Sequence, residues 1–147
     1  MPVGDIDEIE ALVYGYGELI DTGDLEGVVA LFAHATWRSA ATSQALRDPA
    51  AVKAVYDRIV LYEDGTPRTK HVITNLKIEF APDGRSATGS CYFTVLQGVV
   101  PGEPLEAVVA GRYDDRYERG PEGWRFADRL LTAQLLGDQS RHFLGHP

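Results

Sequence analysis

The sequence predicts an α+β domain: a cone-shaped, curved antiparallel sheet wrapped around about three N-terminal helices. Three observations carry this expectation. Apolar residues recur at helical spacing in the first half, they alternate in the second half, and short turns join the alternating segments. Helices grouped ahead of turn-connected strands pack on one face of an antiparallel sheet, rather than between parallel strands. The length of 147 residues fits a single domain, 1–147. A chain of that size buries enough apolar surface to fold without a cross-link.

The elements follow in order. Ile6, Ile9, Val13, Tyr16 and Ile20 form a helical stripe that Thr22 and Gly23 interrupt. A second helix starts near Asp24 and buries Leu25, Val28, Val29 and Phe32. Trp37 begins a short strand. Asp48-Pro49 opens a third helix, since proline suits a first turn, and Val52, Val55, Ile59 and Val60 give its apolar face. Gly65 and Pro67 end it. From Thr69 the period becomes two. The first long strand runs to Phe80, with Val72, Leu76, Ile78 and Phe80 facing inward. The second spans Ala87 to Gln97, the third Leu105 to Tyr117 and the fourth Trp124 to Leu136. Pro82-Asp83-Gly84, Pro101-Gly102 and Gly120-Pro121 supply the turns. A sheet curled over helices leaves a conical pocket, which small residues such as Ala107 and Gly111 would widen.

Charge excludes some partners. The first 37 residues hold eight acidic side chains and no Lys or Arg; the other fourteen acidic groups are matched by fourteen basic ones. An acidic front repels phosphate backbones and anionic membranes. Its simplest reading is a solvated helix face. No apolar run is long enough to span a bilayer and no leader pattern opens the chain, so a cytoplasmic location is expected. Cys91 is the single cysteine, and four scattered histidines add no metal-ligand spacing. No metal and no cofactor are therefore expected. Glycine-rich phosphate loops, nucleophile elbows and HExxH are missing as well.

The candidates for chemistry are lone polar residues in an apolar shell. His71 opens the first long strand and suits proton transfer near neutral pH. Strict alternation places it on the outer face with Asn75, Lys77 and Glu79, so only a bulge or strong twist would turn it inward. Asp21 ends the first helix, where it either reaches the pocket mouth or faces water. Tyr16 lies in the apolar stripe and Tyr14 is two helical turns before Asp21; a buried phenol wants a hydrogen-bond partner. Asp128 falls in register with Trp124, Phe126 and Leu130, where a carboxylate is costly unless paired or protonated. Arg129 then points the other way unless the strand bulges. Arg112 to Arg119 alternate in charge and read as a solvated strand face.

The order of motifs is the informative feature. Leu31-Phe32-Ala33-His34-Ala35-Thr36-Trp37 is followed by Thr69-Lys70-His71-Val72-Ile73-Thr74-Asn75-Leu76, by Ala87-Thr88-Gly89-Ser90-Cys91-Tyr92-Phe93, by Arg112 to Arg119, and by Gly123-Trp124-Arg125-Phe126. This series resembles the SnoaL-like branch of the NTF2-like superfamily, with its cystatin-like fold, over nearly the whole chain. Within that branch it is similar to scytalone dehydratase, bile-acid 7α-dehydratase and hexachlorocyclohexane dehydrochlorinase. The resemblance implies a catalytic Asp21–His71 pair. It also implies substrate contacts by Tyr16, Trp37 and Arg129, and by Gln97 near the position of a second pocket histidine. Glycine and glutamate at 17 and 18 replace a lysine of the dehydrochlorinase, so the substrate is not expected to be one of those three. The implied function is a cofactor-independent lyase or isomerase acting on a small hydrophobic cyclic or polyketide-like substrate, in a homo-oligomer (dimer or trimer). Two alternatives stand beside it: a polyketide-cyclase-type enzyme using Asp128, and a small-molecule binding module without chemistry.

Overall fold

The computed structural model describes residues 3–145. Helix α1 (Val3–Asp21) buries Ile9, Val13, Tyr16 and Ile20, the predicted stripe, while Ile6 remains partly exposed. Gly23, at φ +82°, ends it in a conformation glycine adopts without penalty. Helix α2 (Leu25–Leu31) is capped by Asp24, whose carboxylate accepts the Gly27 N–H. Strands β1 (Thr36–Ser39) and β2 (Ala45–Leu46) form a short antiparallel pair, of which the second was not foreseen. Helix α3 (Pro49–Tyr56) begins at the expected proline behind an Asp48 cap. It stops before Ile59 and Val60, so its buried face is Val52 and Tyr56 rather than a longer aliphatic run.

Strands β3 (Thr69–Phe80), β4 (Ser86–Gln97), β5 (Glu106–Gly120) and β6 (Gly123–Leu136) form an antiparallel meander. Strand β1 adds to β6 in parallel, giving the order β2-β1-β6-β5-β4-β3. The three helices pack against the concave face of this curved sheet. Asp5 and Glu8 are not purely solvated. Asp5 accepts from Arg119 and the Trp124 indole, and Glu8 accepts from the Trp124 amide, which ties α1 to the β5–β6 hairpin.

Irregularities in the strands decide which residues face inward. The β3–β4 register shifts between Thr74 and Lys77, and Asn75 adopts φ +57°. Before this bulge Thr69, His71 and Ile73 turn toward the helices; after it Leu76, Ile78 and Phe80 do. The alternation therefore changes phase, and Val72, expected inward, is 40% exposed. A second shift opposite Leu96 leaves Val108 buried, with Leu105 and Ala107 exposed, so Ala107 does not widen a pocket. A third, around Ala127, puts Phe126 and Arg129 on the inner face and Asp128 on the outer one.

Asn75 holds a backbone conformation that β-branched residues avoid. Asn75→Val should lower the unfolding free energy by about 1–3 kcal/mol, whereas Asn75→Gly should be tolerated; urea denaturation measures both.

Candidate active site

A cavity of about 370 Å³ opens between the helices and the sheet. Apolar side chains dominate its wall, among them Ile20, Phe93, Val95, Val109 and Leu131. Phe93 and Tyr113 stack at 4.4 Å on the sheet side. Phe93 also lies over Gly111, where a Cβ would stand 2.9 Å from its ring, so Gly111 seats an aromatic instead of enlarging the space. The polar lining groups of interest are His71, Tyr16, Tyr56 and His142.

The β3 bulge turns His71 inward, and α1 ends where Asp21 can meet it. His71 Nδ1 is 2.7 Å from Asp21 Oδ1, and the side chains are 4% and 10% exposed. Asp21 Oδ2 also accepts the His71 main-chain N–H at 2.8 Å, and Oδ1 accepts the Thr69 hydroxyl at 2.8 Å. Burial alone would raise the Asp21 pKa. The hydrogen bond and charge of His71, its amide and Thr69 outweigh that and hold the carboxyl below its usual value. An ionised Asp21 can only accept, so Nδ1 carries the shared proton, which leaves Nε2 as the nitrogen whose lone pair a neutral ring offers. Gly17 makes the close approach possible: a Cβ there would fall 2.8 Å from the His71 Cβ.

A second polar chain also lines the cavity. The Trp37 indole N–H donates to Tyr56 Oη at 2.9 Å, and Tyr56 Oη is 2.9 Å from Tyr16 Oη. Burial, with Tyr16 beside it, pushes the Tyr56 phenol well above its ordinary pKa, so it stays protonated. Tyr16 also packs edge-on against His71, with ring centroids 6.2 Å apart.

The remaining sequence candidates fall elsewhere. Tyr14 is 43% exposed on the outer side of α1 and does not line the cavity. Gln97 is buried beneath the C-terminal segment, donating to the carbonyls of Pro67 and Arg141, so it holds the main chain and does not contact the cavity. Asp128 pairs with Arg38 through two hydrogen bonds of 3.0 and 2.6 Å, on the sheet face away from the cavity. Arg129 is 0% exposed and stands behind the wall. It forks onto Asp115 at 2.8 and 2.9 Å, with its guanidinium carbon 3.9 Å from the Tyr113 ring centroid and 4.4 Å from that of Tyr16. Asp115 itself was expected on a solvated face, yet it shares the inward register of Tyr113 and Tyr117.

Tyr56, Asp115, Gly17 and His142 escaped the sequence reading. Tyr56 follows Val52 by one helical turn, a signal of shared burial that the aliphatic residues nearby obscured. His142 belongs to a segment without periodicity, Arg141 to Leu144, for which the sequence leaves a lid over the pocket and a swap to a neighbour equally open. It is 2% exposed, and burial, reinforced by His71, pushes its imidazole down to about 4. Among the described residues no group of three or more His, Cys, Asp or Glu is placed to hold a metal ion. No helix among them is long and apolar enough to cross a membrane.

Two outcomes test this geometry. Alanine in place of Gly17 raises helix propensity by ~1 kcal/mol, yet the clash with His71 should dominate. Gly17→Ala is expected to be net destabilising by about 1–3 kcal/mol and to erase the low-field Nδ1 proton resonance of a carboxylate-bonded imidazole. The second concerns His142. The unfolded chain binds a proton near pH 6.5 and the folded chain only near pH 4, so stability falls as pH drops through that window and levels off below it. His142→Phe should remove that slope, a relative change of roughly 2–3 kcal/mol in unfolding free energy between pH 7 and pH 4.

Comparison with known proteins places the fold. A family model described as a SnoaL-like domain matches residues 2–130. No curated protein sequence matches the chain. Among solved structures, ActVI-ORFA from Streptomyces coelicolor superposes with a TM-score of 0.75 at 21% identity, covering 90% of this chain and 98% of that one. A protein provisionally named scytalone dehydratase from Novosphingobium aromaticivorans gives 0.73 at 20% identity, with 99% and 96% covered. An NTF2-like protein with a cystatin-like fold from the same organism gives 0.72 at 21%, with 95% and 88% covered. At these identities the structural likeness establishes the fold, and the family match adds membership: the chain belongs to the SnoaL-like family and has the NTF2-like, cystatin-like architecture.

Proposed function

We propose that the cavity is the active site of a lyase or isomerase that removes a proton from carbon next to a carbonyl, in a small cyclic hydrophobic substrate. The observation that carries this reading is the His71 ring, held by Asp21 at 2.7 Å and lining an apolar cavity. His71 Nε2 is the base. Asp21 fixes the tautomer and stabilises the imidazolium that forms. The step calls on protein groups alone.

The phenol chain supports the other half of the reaction. Trp37 N–H, Tyr56 O–H and Tyr16 O–H provide three protons for two contacts, so one hydroxyl proton is left to donate into the cavity. Directed at the substrate carbonyl, it stabilises the enolate as His71 takes the α-proton. In an elimination the electron pair then forms a carbon–carbon double bond, a β-hydroxyl leaves, and the imidazolium proton departs with it as water. In an isomerisation the same proton returns to a different carbon.

The family resemblance and the provisional name of one structural neighbour favour elimination. Two other readings fare less well on this geometry. An acid/base role for Asp128 requires it to reach the cavity, and it is engaged by Arg38 outside. A binding module needs no imidazole oriented by a buried carboxylate.

Exchange of the α-hydrogens of α-tetralone with D₂O, followed by NMR, tests proton abstraction without needing the natural substrate. The protein should accelerate exchange. His71→Ala and Asp21→Asn should lose about 10²–10⁴ of that rate while Asp128→Asn keeps it. A His71→Ala variant as fast as the parent overturns the reading.

A further inference from the structure

The C-terminal segment folds back across the cavity. Val60 donates its N–H to the His142 carbonyl at 2.8 Å, and Leu144 donates to the Arg58 carbonyl at 2.7 Å. Phe143 bridges to Ile59 as an isolated antiparallel pair. The Arg141 carbonyl accepts from both Gln97 and the Tyr62 hydroxyl. The backbone of residues 141–144 is therefore pinned from two sides, and the position of the side chain between them is set by the fold.

That side chain is His142. It lines the cavity together with Gln139 and Phe143. Its ring packs on Phe143 at 4.3 Å between centroids. Nδ1 is fully buried and has no hydrogen-bond partner among the described residues. An imidazole can donate from one nitrogen and accept at the other. Leaving such a group unpaired in an apolar setting costs about 1–3 kcal/mol. A phenylalanine or leucine there would avoid that cost; with Nδ1 closed off, the ring meets a molecule in the cavity through Nε2.

We propose that His142 is a substrate-binding residue: its ring forms a hydrogen bond with a hydroxyl or carbonyl oxygen of the molecule held in the cavity. This deepens the function proposed above, because it rests on the same cavity holding a ligand. It assigns that ligand a second polar group, distinct from the carbonyl served by the phenols. His71, Tyr56 and His142 then address one bound molecule. An uncharged oxygen fits this position better than a carboxylate, since burial keeps the His142 imidazole neutral near pH 7 and leaves it no charge to pair with an anion. The substrate class is thus a bicyclic or similarly sized hydroxyketone, not an acid.

Two probes of nearly equal shape, naphthalene and β-naphthol, isolate the hydroxyl contribution. Calorimetric titration of the parent protein should show β-naphthol bound about tenfold more tightly than naphthalene, the difference one hydrogen bond makes. His142→Leu should bind naphthalene unchanged and lose the preference; His142→Gln, which keeps a donor and an acceptor, should retain part of it. The ring ¹⁵N resonances of His142 should move on adding β-naphthol and stay still with naphthalene. A preference that persists in His142→Leu, ring resonances that ignore β-naphthol, or a parent protein that binds neither probe would each overturn the assignment. These readouts need no turnover. If deuterium exchange into α-tetralone fails while the β-naphthol preference depends on His142, the lyase reading falls and the binding role stands.

Discussion

Both oxygens of the Asp21 carboxylate are occupied by β3. The Thr69 hydroxyl, the His71 amide and the His71 ring converge on it within 2.8 Å. Taking a carboxylate out of water is costly, and three donors, one of them able to become cationic, offset the loss. The arrangement links the last turn of α1 to the first residues of β3, and so fixes how the helix lies over the sheet. It also fixes the imidazole, because one nitrogen is committed to Asp21. Gly17 is part of the same constraint: the helix backbone can come this near β3 only where no side chain intervenes.

Behind the opposite wall sits a different solution to buried charge. Arg129 is enclosed by Tyr16, Tyr113, Phe126 and Phe32 and forked onto Asp115. Burial disfavours its charge, yet Asp115 outweighs that and raises its pKa well above the ordinary value. The planar guanidinium suits both the bidentate carboxylate and the ring faces. Its Nη1 has no hydrogen-bond partner among the described residues, so the pair is not fully satisfied there. What it contributes is position: Tyr16 and Tyr113 are stacked on a fixed cation, and the phenol chain through Tyr56 to Trp37 inherits that rigidity.

Periodicity revealed the helices, the four long strands and most of the core. It could not place side chains beyond a bulge, because one extra residue reverses every assignment after it. His71 and Arg129 both read as outward on strict alternation, and both are inward. Asp128 read as inward and is outward for the same reason. In β3 the clue was Asn75, a residue tolerant of positive φ, though asparagine in a strand does not announce a bulge by itself. Asp115 was legible, since it alternates with Tyr113 and Tyr117, but a run of alternating charges drew attention to the solvated reading. The Asp21–His71 pair came from family resemblance and not from local pattern, because the two residues are 50 positions apart. His142 was out of reach: its burial depends on main-chain contacts with residues near 60 and 97, which no local spacing encodes.

The parallel pairing of β1 with β6 has a bearing on how the chain assembles. Residues 36–39 lie beside residues 128–131, so the side of β1 away from β2 has no strand to pair with until the final hairpin has formed. The β3–β6 meander closes through nearby turns, a fast and local process, whereas docking β1 spans most of the polypeptide. Unfolding from that edge would detach β1 and β2 first and release the indole from its phenol, dissolving one side of the hollow while the meander persists. A seam between segments far apart along the chain is thus also one on which the shape of its interior depends.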